Sequence, residues 1–202
     1  MRLFAALLPP REVVAALTAE VRALHALPDA DALRWAHAAG WHVTLAFYGE
    51  VPDADVPGLG TRLERAARRG HPLGLRLHGG GRFADRALWA GITETEDGAL
   101  ADLAHLAAAA RAAGRRVGAG RHPDAGPARY TPHLTLARAR GARLAPFADA
   151  LAPLTSPPWR ADTLTLVRSH LPHSGIPGEQ PRYEAVSHWP LGRPADRLPW
   201  TP

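Results

Sequence analysis

The sequence predicts an α+β fold with two pseudo-symmetric lobes, each an antiparallel sheet with helices on its outer face, around a central cleft. Three observations lead to this fold class. Strand-like and helix-like segments alternate, each half of the chain offers strands and a helix, and each half contains one His-x-Thr-Leu motif. The motifs begin at His42 and His133, 91 residues apart in a chain of 202, which indicates an internal duplication. Lobes related by a pseudo-twofold axis would bring the two motifs face to face across the cleft.

The elements of the first half are predicted from the spacing of their apolar residues and from the residues that stop them. A short apolar run before two prolines is typical of a strand, and helical spacing follows until Pro28. Two further strand-like runs come next, the second ending where Gly49 starts a turn, and then a surface helix closed by Gly70. The predicted elements are a strand over Leu3 to Leu8, a helix over Arg11 to Leu27 with the apolar stripe Val14, Leu17, Val21 and Leu24, strands over Leu33 to Ala36 and His42 to Tyr48, and a helix over Asp53 to Arg69.

The second half follows the same rules. Alternating or β-branched runs predict strands, the Gly79-Gly80-Gly81 stretch is expected to join two of them, and an alanine-rich helix is closed by Gly114. Residues 115 to 128 form a loop rich in glycine, proline and arginine, and residues 192 to 202 a proline-rich tail. We expect one two-lobed domain over residues 1 to 202. The predicted elements are strands over Leu73 to Leu77, Arg86 to Thr93, His133 to Ala139, Asp162 to Leu171 and Tyr183 to Trp189, and helices over Leu100 to Ala110 and Leu144 to Leu151.

The composition excludes several classes of chemistry. The chain has no cysteine, which removes disulfides, thiolate nucleophiles and cysteine-based zinc sites. All 24 basic residues are arginine, and without lysine there is no Walker A loop, Schiff base or lysyl-nucleotide intermediate. A net charge of +5 favours an anionic partner, since guanidinium groups bind phosphate in a bidentate manner.

Other familiar signals are missing from the sequence. The N-terminal apolar run is too short for a signal peptide and no stretch is long enough to cross a membrane, so we expect a cytoplasmic protein without membrane association. HExxH, GxSxG and a complete GxGxxG do not occur. His170 and His173 form an HxxH pair without a nearby carboxylate in the sequence, for which a structural or solvent-facing role is favoured over metal binding.

The two motifs carry the chemistry. Side chains at i and i+2 of a strand share one face, so each motif places an imidazole beside a hydroxyl, His42 with Thr44 and His133 with Thr135. An imidazole can give or take a proton near neutral pH, and two of them suit acid–base work on a small anionic group. Phe47 and Arg138 follow at i+5, which strict alternation sends to the opposite face. Either the strands are bulged there or these two residues are structural.

These residues resemble the two-histidine phosphoesterase superfamily, specifically its RNA 2′,3′-cyclic phosphodiesterases, historically called 2′-5′ RNA ligases. The paired motifs are the specific part of the resemblance, which spans nearly the whole chain. Tyr48 stands where the family commonly has leucine. The matching segments are RLFAALLPP, LRWAHAAGWHVTLAFYGEV, GRFADRALWAGI, RYTPHLTLAR, RSHL and YEAVSHWPL.

The resemblance implies a role for each site residue and a substrate. His42 would be the proton donor and His133 the proton acceptor, Thr44 and Thr135 would hydrogen-bond the phosphate, Arg138 would neutralise it, and Phe47 would pack near the nucleoside. The implied partners are RNA ends or nucleotides with a 2′,3′-cyclic phosphate, the implied product is a 2′-phosphate, and no metal or other cofactor is needed. We expect a monomer. The alternatives are 2′-5′ RNA end-joining, which is the reverse reaction, and a non-catalytic RNA-binding module.

Overall fold

A computed structural model describes residues 1–119, 130–139, 141–172 and 180–193. Within these ranges the chain forms four α-helices and nine β-strands, with short 3-10 turns at 30–32, 38–40 and 53–55. The helices are α1 (Arg11–Leu24), α2 (Val56–Arg69), α3 (Ala99–Arg116) and α4 (Ala145–Ala150). The strands are β1 (Arg2–Leu7), β2 (Leu33–Trp35), β3 (Val43–Glu50), β4 (Leu73–Phe83), β5 (Ala87–Glu94), β6 (His133–Ala139), β7 (Trp159–Ala161), β8 (Thr163–His170) and β9 (Arg182–Pro190).

The strands pair antiparallel in the order β7-β4-β5-β6-β3-β1-β8-β9, with β2 added to β6. The sheet has two halves, β7-β4-β5-β6 with β2 and β3-β1-β8-β9, which meet through one residue pair, Val43 with Leu134. Each half has its motif strand at this junction. The predicted α+β class with two antiparallel lobes is therefore confirmed. The sequence led us to expect that the two motif strands would face each other across a cleft. They instead lie side by side where the halves join.

One face of the sheet and the inner faces of the helices form the main core. In α1 the buried stripe is Val13, Leu17, Val21 and Leu24. The predicted stripe had Val14 in place of Val13, and Val14 is only partly buried. The helix also ends at Leu24 rather than Leu27, before the turn that leads to Pro28. None of the helices in the described ranges combines the length and apolarity needed to cross a bilayer.

The glycine stretch predicted to join two strands lies inside β4. The connection to β5 is instead formed by residues 84 to 86. Glycine is needed inside this strand because neighbouring side chains occupy the space of a Cβ atom. A Cβ on Gly81 would lie 2.4 Å from the ring of Trp89, and one on Gly80 would lie 2.5 Å from Leu151. Local alternation cannot reveal such contacts, so the stretch was mistaken for a turn.

Gly49 was predicted to start a turn but lies inside β3, where its φ of +68° is one that glycine adopts without strain. Gly49 follows Tyr48, which has no partner residue in β1 because the strand register shifts at this point. The Tyr48 hydroxyl donates a hydrogen bond of 3.0 Å to the carbonyl of Ala110 in α3. The residue that departs from the family pattern therefore attaches the motif strand to the helix behind it.

The remaining differences concern short elements. The helix predicted from Asp53 begins as a 3-10 turn, and α2 starts at Val56. Strand β7 was not predicted, because three residues are too few to show a period. The loop predicted over 115–128 and the tail predicted from 192 lie mostly outside the described residues. The assignment of residues 1–202 to one domain remains a prediction.

Candidate active site

The two motifs share one face of the sheet at the junction of its halves. Val43 and Leu134, which form the only residue pair between β3 and β6 in the described ranges, are fully buried in the core behind the sheet. Their neighbours along the strands therefore project from the opposite face. The antiparallel register set by this pair brings His42 towards Thr135 and His133 towards Thr44. The structure thus brings together the four residues that the sequence singled out.

A β-bulge at the same motif position in each strand explains the residues at i+5. In β3, Ala6 and Ala5 of β1 pair with Thr44 and Ala46, which leaves Leu45 as an extra residue. In β6, Trp89 and Leu88 pair with Thr135 and Ala137, which leaves Leu136 as an extra residue. An extra residue reverses the alternation beyond it, so Phe47 and Arg138 return to the face of the histidines. Of the two explanations left open by the sequence, the bulge is correct for both strands.

Both histidines are held by equivalent hydrogen bonds. His42 Nδ1 lies 2.7 Å from the carbonyl oxygen of Gly40, and His133 Nδ1 lies 2.8 Å from that of Thr131. A carbonyl oxygen can only accept, so Nδ1 carries the proton in both rings. Nε2 is then the atom through which each imidazole can exchange a proton with a substrate.

Aromatic rings fix the orientation of the imidazoles. The ring centroid of His42 lies 4.5 Å from that of Phe4 and 5.3 Å from that of Tyr183, which meets it edge-on. His133 has a matching pair of neighbours, Phe83 at 4.8 Å and Trp89 at 6.1 Å. In each half these rings come from strands other than the one carrying the histidine. Packing of this kind removes the rotational freedom of the imidazole before a substrate arrives.

A cavity of about 360 Å³ opens in front of the motifs, a size typical of small-molecule sites. It is lined by His42, Thr44 and Thr135, but not by His133. The strand register, which sets His133 opposite Thr44, places His133 beside the cavity. No aspartate or glutamate is among the described residues that line it. The other lining residues are Arg2, Phe4, Arg34, Ala36, Gly40, Phe47, Ala137, Arg138, Ser169, Leu171, Gln180, Pro181 and Tyr183.

The pKa values of both imidazoles are shifted in the same direction. Burial lowers the pKa of His42 below 6.5, and the charge of His133 lowers it further, while the bond to Gly40 acts in the opposite sense. Burial also lowers the pKa of His133, the bond to Thr131 opposes this shift, and the Arg138 guanidinium adds to it. Desolvation disfavours the charged imidazolium, and a nearby positive charge does the same. Both rings are thus biased towards the neutral form in the absence of an anion.

Phe47 and Arg138, which were predicted for substrate binding, both line the cavity. Phe47 is half-buried, and the guanidinium carbon of Arg2 lies 4.8 Å from the centroid of its ring. Arg2, Arg34, Phe4 and Tyr183 were not predicted as site residues. Alternation in the N-terminal segment predicts that Arg2 and Phe4 share one face of β1. It does not predict whether that face is the one on which the motif histidines lie. The position of Arg34 depends on its pairing with β6, which has no local signal.

His170, the first residue of the HxxH pair, is hydrogen-bonded to a carboxylate 14 residues further along the chain. Its Nε2 lies 2.7 Å from Oε2 of Glu184, and this hydrogen bond lowers the pKa of the Glu184 carboxyl. His173 lies outside the described residues. Among the residues that are described, no three His, Asp or Glu side chains are grouped so as to hold a metal ion.

The chain is similar to known proteins in both sequence and fold. The family model described as "2′-5′ RNA ligase superfamily" matches residues 9–172. A curated protein of Geobacillus stearothermophilus named RNA 2′,3′-cyclic phosphodiesterase is 30% identical over 171 residues, covering 81% of this chain and 49% of that protein. The chain thus spans about half the length of this curated relative.

Two solved structures have similar folds. One is Escherichia coli LigT complexed with 3′-AMP, with a TM-score of 0.70 at 24% identity, and the other is a Thermus thermophilus protein, with 0.67 at 27%. Both alignments cover 95% of this chain and 98% of the other. The fold is thus shared with these proteins, and the match of the family model over most of the sequence shows that the chain belongs to the 2′-5′ RNA ligase superfamily.

Proposed function

We propose that this protein is an RNA 2′,3′-cyclic phosphodiesterase, which hydrolyses a terminal 2′,3′-cyclic phosphate to a 2′-phosphate by metal-independent acid–base catalysis. The observation that carries the proposal is the pair of imidazoles on one face of the sheet, each fixed through Nδ1 and each next to a threonine hydroxyl. The name of the Geobacillus relative supports cyclic phosphodiesterase activity.

Each proton in the proposed reaction is assigned to one histidine. His133 Nε2 takes a proton from water as the water oxygen bonds to phosphorus. The bond between phosphorus and the ribose 3′ oxygen breaks, and His42, which the bound phosphate favours in its imidazolium form, gives its Nε2 proton to that oxygen. The products are a 2′-phosphate and a 3′-hydroxyl. Burial, with a smaller contribution from the positive charge of Arg138, lowers the pKa of His133, and a neutral imidazole suits a proton acceptor.

The other site residues act on the phosphate and the nucleoside. The hydroxyls of Thr44 and Thr135 donate hydrogen bonds to the non-bridging oxygens, where negative charge increases as water attacks. Arg138 lines the cavity and neutralises this charge. Phe47 offers a half-buried aromatic surface to the nucleoside.

The same geometry would also allow the reverse reaction, in which a 5′-hydroxyl replaces water and a 2′-5′ linkage forms. Without lysine the chain cannot form a lysyl-nucleotide intermediate to drive joining, so hydrolysis is favoured in water. Simple RNA binding would not require two imidazoles locked in one tautomer beside paired hydroxyls.

An oligonucleotide with a terminal 2′,3′-cyclic phosphate tests the proposal directly. We expect turnover to a 2′-phosphate end, which chromatography and mass spectrometry would detect. The rate should be the same before and after treatment with EDTA. Binding without turnover would favour the RNA-binding module. Loss of activity in EDTA and its return with a divalent metal would overturn the metal-independent mechanism.

The lowered pKa values predict an acidic optimum. For kcat/KM we expect a bell-shaped pH profile with its maximum below pH 7, because the acceptor is already neutral there while the donor loses its proton as the pH rises. A bound phosphate favours the imidazolium, so the falling limb of the kcat profile should lie at higher pH. Initial rates from pH 4 to 9 measure both limbs of the profile. The apparent pKa values of the two limbs belong to the coupled pair of histidines. A maximum of kcat/KM above pH 8 would contradict this prediction.

A further inference from the structure

The cavity holds more positive charge than one cyclic phosphate requires. A cyclic phosphodiester carries a single negative charge, which Arg138 neutralises in the proposed reaction beside the hydroxyls and imidazoles of the motifs. Two further arginines, Arg2 and Arg34, also line the cavity. Within the described part of the chain, no carboxylate forms an ion pair with any of them. The excess positive charge favours a second anion.

The strand register concentrates this charge. Arg34 of β2 is paired directly with Arg138 of β6, so both side chains project from the same face of the sheet. Like charges opposite each other across a strand pair are destabilising, and an anion between them removes the repulsion. Both arginines are exposed, so neither contributes to the core.

Arg2 approaches the same region from the other half of the sheet. Its guanidinium lies over the ring of Phe47, which restrains it, and Arg2 lines the same cavity as Arg34, Arg138 and Tyr183. Three guanidinium groups from β1, β2 and β6 therefore converge on one cavity. Such convergence is typical of phosphate recognition by arginine.

The cavity continues beyond Tyr183. A larger space of about 710 Å³ shares Ala36, Gly40, Gln180, Pro181 and Tyr183 with the motif cavity. A chain bound by its terminal nucleotide at the motifs thus has room to continue past the arginines. A single nucleoside cyclic phosphate would leave this space empty.

We propose that Arg2 and Arg34, beside Tyr183, form a second phosphate subsite that holds the phosphate on the 5′ oxygen of the terminal nucleoside. The inference rests on the proposed function, in which the cyclic phosphate lies at the motifs. It makes the preferred substrate the 3′ end of an RNA strand, or a nucleotide that also carries a 5′-phosphate, rather than a nucleoside cyclic phosphate alone.

The test compares three adenosine substrates: the 2′,3′-cyclic phosphate with a 5′-hydroxyl, the same compound with a 5′-phosphate, and the dinucleotide with a terminal cyclic phosphate. We expect kcat/KM to be at least about tenfold higher for the two substrates that carry a phosphate on the 5′ oxygen. A gain of this size corresponds to one charge-assisted hydrogen bond. Arg34→Gln and Arg2→Gln should each reduce this ratio towards one. Arg62→Gln, which removes an exposed arginine of α2 that does not line the cavity, should leave it unchanged.

Two measurements keep this inference separate from the proposed function. Raising the salt concentration should reduce the ratio in the unmodified protein, since surface phosphate contacts are screened. Equal kcat/KM for the three substrates in the unmodified protein, or an unchanged ratio in both cavity variants, would overturn the second subsite while leaving hydrolysis established. No hydrolysis of any of the three would instead overturn the proposed function.

Discussion

His42→Ala and His133→Ala are each expected to lower kcat/KM for a terminal 2′,3′-cyclic phosphate by about 10² to 10⁴, since general acid or base catalysis contributes that much. In each variant the remaining imidazole has only Nε2 free for proton exchange, because its Nδ1 is hydrogen-bonded to a backbone carbonyl, so one ring cannot serve as donor and acceptor at once. Initial rates with an oligonucleotide substrate measure the loss. His105→Ala is the matched control, since this histidine of α3 is 83% exposed and does not line the cavity.

A sulfur leaving group distinguishes the proton donor from the acceptor. A substrate with sulfur in place of the ribose 3′ oxygen releases a thiolate, whose conjugate acid has a pKa of about 8.5, so it needs little help from an acid. We expect His42→Ala to recover most of its rate on this substrate and His133→Ala to remain inactive. Recovery in His133→Ala alone would reverse the two roles. Full activity of either variant on the ordinary substrate would refute the paired mechanism.

Thr44→Val and Thr135→Val are each expected to lower kcat/KM by about 10-fold to 100-fold, since a hydrogen bond to a charged group contributes about 1.5–3 kcal/mol. Valine keeps the branched shape of threonine and removes the hydroxyl, so the strand and its bulge should persist. Both threonines line the cavity and are half-buried, which strengthens a bond to the phosphate. If the hydroxyls act mainly on the transition state, kcat will fall more than KM rises.

Thr61→Val provides the control for the threonine variants. Thr61 lies on the exposed surface of α2, where its hydroxyl bonds only to the carbonyl of Pro57 in the described structure. Its replacement should leave kcat/KM unchanged. Unchanged kinetics in both Thr44→Val and Thr135→Val would show that the motif hydroxyls do not touch the phosphate.

The motif geometry was predictable because it is local. Adjacent residues in a strand point to opposite faces, so the pairing of each histidine with its threonine follows from the order of residues alone. The face of the sheet from which Phe47 and Arg138 project was not predictable. It depends on the bulges at Leu45 and Leu136, and a bulge is defined by the residues of the neighbouring strand.

The fold class, the duplicated motif strands and the chemistry of their side chains could all be predicted, since they follow from short-range periodicity and composition. The folded chain was needed to show that the two motif strands are neighbours and that Arg2 and Arg34 line the cavity of the motifs. It was also needed to show that aromatic rings from β1, β9, β4 and β5 surround the imidazoles. Strand pairing joins residues far apart in the chain, and no local pattern specifies which strand a given edge will meet.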